Sequence, residues 1–439
     1  MGSGRKRGAS RVARVTARRA GLAVVALATL IGLWNTLSYP AGAGFDAASH
    51  REYADFLAHH WRLPHENETP EYYSPPFYYA IAGLIVRLGA AAGLAEPHKL
   101  GQLLNVPIVA GIGLLTLALA GVLWPGRRSL AAAAASFLVA CPLLLKTGSM
   151  FNPEPLDALL SVLALYLAAR ILTGARYGAR AALGLGAVLG LGELTRQFAL
   201  WTLAVVTLAF AAAWLRARDV RILRSLSLAL VAVVVLAGPW YGYRASTYGN
   251  AVFDRPLTVD KPFFERRPAS FYLGTGLPST ITAPYRPHFV NRAWPQTYAD
   301  LWGDWYGVFA WNRAAAPAPP RAAHSWLTAQ MLLGLVPTAL ALLGWLVLLV
   351  RSLRRLDGAL LLPALLPLAG IAGYLYFTVG WPTRDGDVLK PTYMLTTMPA
   401  FALCFGFAVD RLGRARLLLV PLLVLLLPFA VYKGAVGWF

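Results

Sequence analysis

Eleven long apolar stretches constrain this 439-residue chain more than any other feature, near residues 20–39, 102–124, 129–147, 155–172, 181–195, 197–214, 222–243, 326–350, 359–380, 391–410 and 416–434. At roughly 16 to 25 residues each and ~1.5 Å of rise per residue, they match the ~30 Å hydrocarbon core of a bilayer. With 57% hydrophobic and only 14% charged residues, the chain has far too little polar sequence to coat a water-soluble globule of this size. The expected fold is an all-α polytopic membrane protein of about eleven spans. Cys141 and Cys404 lie within apolar runs and read as small buried residues.

Charge gives the chain a direction. Arg5, Lys6, Arg7, Arg11, Arg14, Arg18 and Arg19 precede the first span, so the positive-inside rule puts the amino terminus in the cytoplasm. Alternating the spans from there brings the clusters at Arg127/Arg128, Arg170/Arg176/Arg180, Arg216/Arg218/Arg221/Arg224, Arg351/Arg354/Arg355 and Arg411/Arg414/Arg416 to the same side. The net charge of +20 is therefore read as an orientation signal and not as a nucleic-acid surface. The same threading leaves only Asp219, Asp357 and Asp410 of the twenty carboxylates inside and puts all seven histidines outside. Acid-base chemistry is thus expected at the outer face of a plasma or bacterial inner membrane.

Four regions result: a basic tail at 1–19, a membrane core at 20–243 containing a first outer loop at 40–101, an outer loop at 244–325 between spans 7 and 8, and carboxy-terminal spans at 326–439. Phe77 to Leu94 is apolar enough to span, but counting it would invert every later arginine cluster, so it is read as a surface helix beginning after Pro75 and Pro76. Upstream, Tyr53, Phe56, Leu57, His60 and Trp61 recur at helical spacing and give an aromatic face suited to the lipid interface. Residues 244–325 are rich in Pro, Tyr, Trp and Arg and read as a cap over an outward cavity.

The order of a short basic tail, one span, Asp46 just beyond it, then His50, Tyr53 and the run Pro75-Pro76-Phe77-Tyr78-Tyr79 resembles the GT-C superfamily of glycosyltransferases that use polyprenyl-phosphate sugars. The branch it resembles most includes the protein O-mannosyltransferases and the lipid A aminoarabinose transferases. Asn152-Pro153-Glu154-Pro155-Leu156-Asp157-Ala158-Leu159, Leu194-Thr195-Arg196, Trp302-Gly303-Asp304-Trp305 and the segment from Gly386 to Tyr393 are similar to later motifs of the group. Ser74 stands where histidine is common, and Ala47 where glutamate often follows the aspartate.

The resemblance implies inverting transfer of a sugar from a polyprenyl-phosphate donor to a lipid, glycan or protein acceptor. Asp46 is then the expected general base, and the alternative is a carboxylate that merely caps the helix beginning near Ala47. Glu154 and Asp157 are candidate catalytic partners, or simply acids in a first helical turn. Arg196 is the expected phosphate ligand, with an internal Glu193–Arg196 ion pair as its alternative. Lys390, Arg384 and Arg244 are further phosphate candidates, and His50, Tyr53, Tyr78 and Tyr393 are candidate substrate contacts. Adjacent histidines such as His59 and His60 point to different sides of a helix, so no metal site is assigned and no cofactor is called for. The rival reading from another class is a transporter or glycolipid flippase using the same cavity for passage. The gathering of the acidic and histidine residues on one side argues against it.

Overall fold

A computed structural model describes residues 3–174, 178–249, 252, 267–274, 281, 292–302, 321–381 and 388–432. Every secondary-structure element among them is helical. The amino-terminal helix α1 (Ser3–Ser38) is followed by three short helices of the first loop, α2 (Ala47–His60), α3 (Phe77–Ala91) and α4 (His98–Leu103). The core continues with α5 (Asn105–Leu123), α6 (Arg128–Ala140), α7 (Pro142–Gly148), α8 (Glu154–Leu172), α9 (Ala179–Glu193), α10 (Ala199–Ala217) and α11 (Val220–Tyr248). Within the 244–325 region lie α12 (Ala269–Leu273) and α13 (Ala293–Trp302), and the chain ends with α14 (Arg321–Arg355), α15 (Gly358–Gly380), α16 (Met398–Val409) and α17 (Leu419–Leu426).

Eight of these described segments are long and apolar enough to cross a bilayer, or nine if the bent α6–α7 pair is one span, against the eleven expected. The differences have local causes. Pro142 drives the residue before it out of helical geometry, leaving Cys141 extended at ψ 114°, and the axis turns by 59°. At 15 residues, α9 reaches only about 22 Å and ends at Glu193 within the bundle. The run Pro391–Ala430 is a largely apolar stretch of 40 residues, yet it reverses at Gly413, whose φ of 57° favours glycine. Its two halves confirm the reversal: Asp410 pairs with Arg127 at 2.6 Å, whereas Ala430 accepts a hydrogen bond from Asn35 at the opposite end of α1.

Close helix contacts hold the bundle together, as membrane packing requires where burial of apolar surface gives no advantage over lipid. Gly344 of α14 lies so near the Cys404 carbonyl of α16 that an added Cβ would collide with it, and Gly186 of α9 meets Ala229 of α11 in the same way. On the other face of α11, Val231, Val234 and Val235 stay exposed, as side chains turned to lipid do. Helix α3 is too short to span and packs on α2, with Arg87 donating to the Ala58 carbonyl at 2.7 Å. Much of the 244–325 region falls outside the described residues. Within it, α13 rests on α14, and the buried Trp302 donates to Thr338 at 3.0 Å.

Candidate active site

Two chain breaks create the site. The first follows α1, where residues 39–46 lead into α2 and Asp46 adopts the left-handed region at φ 53° and ψ 13°. Aspartate tolerates this conformation better than most residues. Its side chain makes no helix-capping hydrogen bond; Oδ2 instead accepts from Lys390 Nζ at 2.9 Å. Lys390 precedes Pro391, which keeps it extended at φ −118° and ψ 116° and turns its side chain off the following 3-10 turn, Pro391–Thr397. The Lys390 side chain is 3% exposed, against 36% for Asp46, so the pair is buried on the cation side and open on the carboxylate side. The ring of Phe45 lies 5.4 Å from the same ammonium. Burial pushes the Asp46 carboxyl up, but Lys390, then His50 and Arg196, more than offset this and hold it down at about 2.

The second break joins α9 to α10. The backbone N–H groups of Thr195 and Arg196 both return to the Gly192 carbonyl, and Phe77 at the start of α3 donates to Leu194 at 2.8 Å. This turn therefore docks directly on the first loop. Arg196 projects from it and donates to Glu154, with Ser74 Oγ at 3.4 Å and Glu71 at 3.7 Å. Glu193 is not its partner, because its carboxylate accepts from Tyr241 at 2.6 Å. Ser74 in turn donates to Glu71 at 2.5 Å. Glu71 carries no signal in the sequence beyond lying three residues before Ser74, yet it lines the cavity and anchors one side of Arg196.

Between the two breaks lies a cavity of about 270 Å³. Asp46, Glu71, Arg196, Lys390 and Tyr393 line it, with Trp201 and Trp381 among its aromatic walls. Four residues proposed from the sequence, 46, 196, 390 and 393, are thus brought together. Glu154, His50, Tyr53 and Tyr78 stand one layer behind. His50 bonds to Tyr79 at 2.9 Å, and burial lowers its pKa despite the nearby Glu71 and Glu154. Tyr53 stacks on Tyr79 and donates to the Ser74 carbonyl at 3.2 Å, while the Tyr78 hydroxyl accepts from the Asn152 backbone at the same distance. His50, Tyr53 and Tyr78 thus shape the wall and do not reach the opening. Asp157 and Arg244 are buried among the helices and do not line the cavity. Arg384 lies outside the described residues.

Tyr393 stacks on Phe198 with ring centroids 5.2 Å apart and closes the side near α10. On the other face of the same 3-10 turn, Pro391, Met394 and Thr397 join Phe137, Tyr298 and Phe401 around a second, apolar cavity of about 300 Å³. Among the described residues, no cluster of three or more His, Cys, Asp or Glu side chains is arranged to hold a metal ion.

No family model and no curated protein matches the sequence. Solved structures do share the fold. ArnT from Cupriavidus metallidurans matches at TM-score 0.50 and 18% identity in both its apo form and its form bound to undecaprenyl phosphate, over 89% of this chain and 59% or 60% of the other. The archaeal oligosaccharyltransferase AglB from Archaeoglobus fulgidus, in complex with an inhibitory peptide and a dolichol-phosphate, matches at TM-score 0.52 and 15% identity, over 95% of this chain and 55% of the other. The chain spans less than two thirds of the length of these proteins, and the likeness is one of fold alone.

Proposed function

We propose that this GT-C-fold chain transfers a sugar from a polyprenyl-phosphate donor to an acceptor at the outer face of the membrane, with inversion at the anomeric carbon. The observation that carries this reading is the convergence of one solvent-open carboxylate, Asp46, with two cations, Lys390 and Arg196, around a single cavity. Asp46 takes the proton of the attacking acceptor group as that group bonds to the anomeric carbon. The bond from that carbon to the phosphate oxygen breaks, and its electron pair leaves with the phosphate. The departing phosphate is a stable anion that needs no proton, only positive charge, which Lys390 and Arg196 supply.

The neighbouring apolar cavity across the Pro391–Thr397 turn is suited to an isoprenoid chain whose phosphate reaches the polar side. Structures of ArnT with undecaprenyl phosphate and of AglB with a dolichol-phosphate support a lipid-linked donor for the shared fold. Acceptor choice among lipid, glycan and protein is assigned to the 244–325 loop, most of which lies outside the described residues.

Mass spectrometry of lipids and envelope glycans from cells with and without the chain tests the proposal. One glycoconjugate should disappear and a polyprenyl-phosphate sugar should accumulate. Unchanged glycans together with an altered distribution of lipids between leaflets would favour transport instead.

A further inference from the structure

Both cations that line the cavity among the described residues are engaged by carboxylates. Lys390 bonds to Asp46 at 2.9 Å, and Arg196 is held by Glu154 with Glu71 at 3.7 Å. The candidate base and one candidate phosphate ligand are therefore bonded to each other. A carboxylate held this way is a poor proton acceptor, because the adjacent ammonium favours its ionised form.

We propose that Lys390 is a latch on the base: its ion pair keeps Asp46 unreactive, and the phosphate of the bound donor, by drawing on the same ammonium, releases Asp46 to accept the acceptor's proton. The inference rests on the donor reading given above and adds an order of events to it. Lysine suits the task because its ammonium is a compact charge with three donors and can turn from one oxygen to another, whereas a guanidinium presents a fixed fork. The asymmetry of exposure agrees, with the lysine buried and the carboxylate open to the cavity. Of the other charged groups facing Asp46, His50 comes from α2 and Arg196 from the α9–α10 turn. His50 bonds to Tyr79 and Arg196 to Glu154, whereas Lys390 is the cation bonded directly to Asp46, so a phosphate that draws on Lys390 acts on Asp46 without an intermediary. Donor should therefore bind before acceptor is activated.

The test uses the full chain in nanodiscs and farnesyl phosphate as the probe. Carbodiimide modification of the Asp46 carboxylic acid is followed by peptide mass spectrometry across pH, with binding of the probe measured separately by tryptophan fluorescence. Saturating farnesyl phosphate should raise the pH midpoint of Asp46 modification by about one unit, a tenfold change in proton affinity. Lys390→Gln should raise the midpoint without the probe and remove the response to it, and Lys390→Arg should restore the low starting midpoint. An equal shift with inorganic phosphate supports release by the anion itself; a shift with farnesyl phosphate alone supports release by a lipid-borne phosphate. Binding of farnesyl phosphate with no shift in the wild-type midpoint overturns the latch while leaving the donor reading intact. Failure of any phosphate to bind overturns both. If Lys390→Gln does not fold, the wild-type pair with and without the probe decides the question alone.

Discussion

The Arg196 guanidinium bonds Glu154, 42 residues earlier in the chain, and not Glu193, three residues before it. Arginine and glutamate at i and i+3 would meet on a continuous helix, but α9 ends at Glu193 and the turn that follows sends Arg196 toward the first loop. A local pair expected from spacing is thereby replaced by a long-range one that fastens α8, the α9–α10 turn and the first loop together at the cavity.

Truncating this arginine has two separable effects. Arg196→Ala leaves Glu154 and Glu71 buried without their countercharge and should destabilise the protein by about 3–5 kcal/mol. Arg196→Lys keeps the charge but loses the fork, so its unfolding midpoint in detergent should change little while the donor KM rises. A lysine variant altered in stability alone, with normal donor KM, would show that Arg196 is purely structural.

Asp46→Asn tests the base. General-base catalysis contributes roughly 10²–10⁴-fold, and turnover with a polyprenyl-phosphate sugar should fall by that order while the protein still folds. Near-normal turnover would remove Asp46 from the proposed chemistry.

Acid should weaken the Asp46–Lys390 pair. The carboxyl is lowered from 3.8 to about 2 in the folded chain, so its contribution to stability is fully present above about pH 4 and is lost as pH falls toward 2. Thermal unfolding of the wild type and Asp46→Asn should differ at pH 6 and converge between pH 4 and 2. A gap that stays constant over this range would mean the pair contributes no pH-dependent stability.

Close packing predicts a contrast among glycines. Gly344→Ala and Gly186→Ala each force a Cβ into the backbone of a facing helix and should lower the unfolding midpoint, with costs of roughly 1–3 kcal/mol typical of overpacking. Gly184→Ala has open space around it and should cost nothing, or add slightly to helix stability.

Orientation can be read by labelling. A cysteine introduced at His60 should react with an impermeant maleimide from outside the cell, and one at Arg354 should react only after permeabilisation. The reverse pattern would invert the charge-based threading.

The long apolar runs made the helical core legible, because each span satisfies its own backbone and needs only length and hydropathy to be seen. Spacing could not reveal that α9 stops short, that Cys141 breaks the third run, or which way the chain turns at Gly413, since each depends on a single residue's backbone. Asp46, Arg196, Lys390 and Tyr393 stood out as polar or aromatic groups at span ends, and the fold brings these four to one cavity. Glu71 was hidden in an aromatic stretch, with its role set by Arg196, 125 positions later by residue number. Asp157 and Arg244 are weaker candidates in the sequence, because charges near helix ends also serve internal packing, and the fold buries both away from the cavity.

The left-handed backbone at Asp46 also narrows what this scaffold can become. A φ of 53° is unfavourable for most residues with a Cβ, at about 1–2 kcal/mol, and is reached most readily by Asp, Asn and Gly. Exchanging Asp46 for an acid a methylene longer would add conformational strain to a misplaced oxygen, so the reach of this carboxylate is fixed by the main chain and not by selection among acidic side chains. Under the proposed function, a descendant with a new acceptor would have to reshape the aromatic walls and the outer loop around a carboxylate that stays where it is.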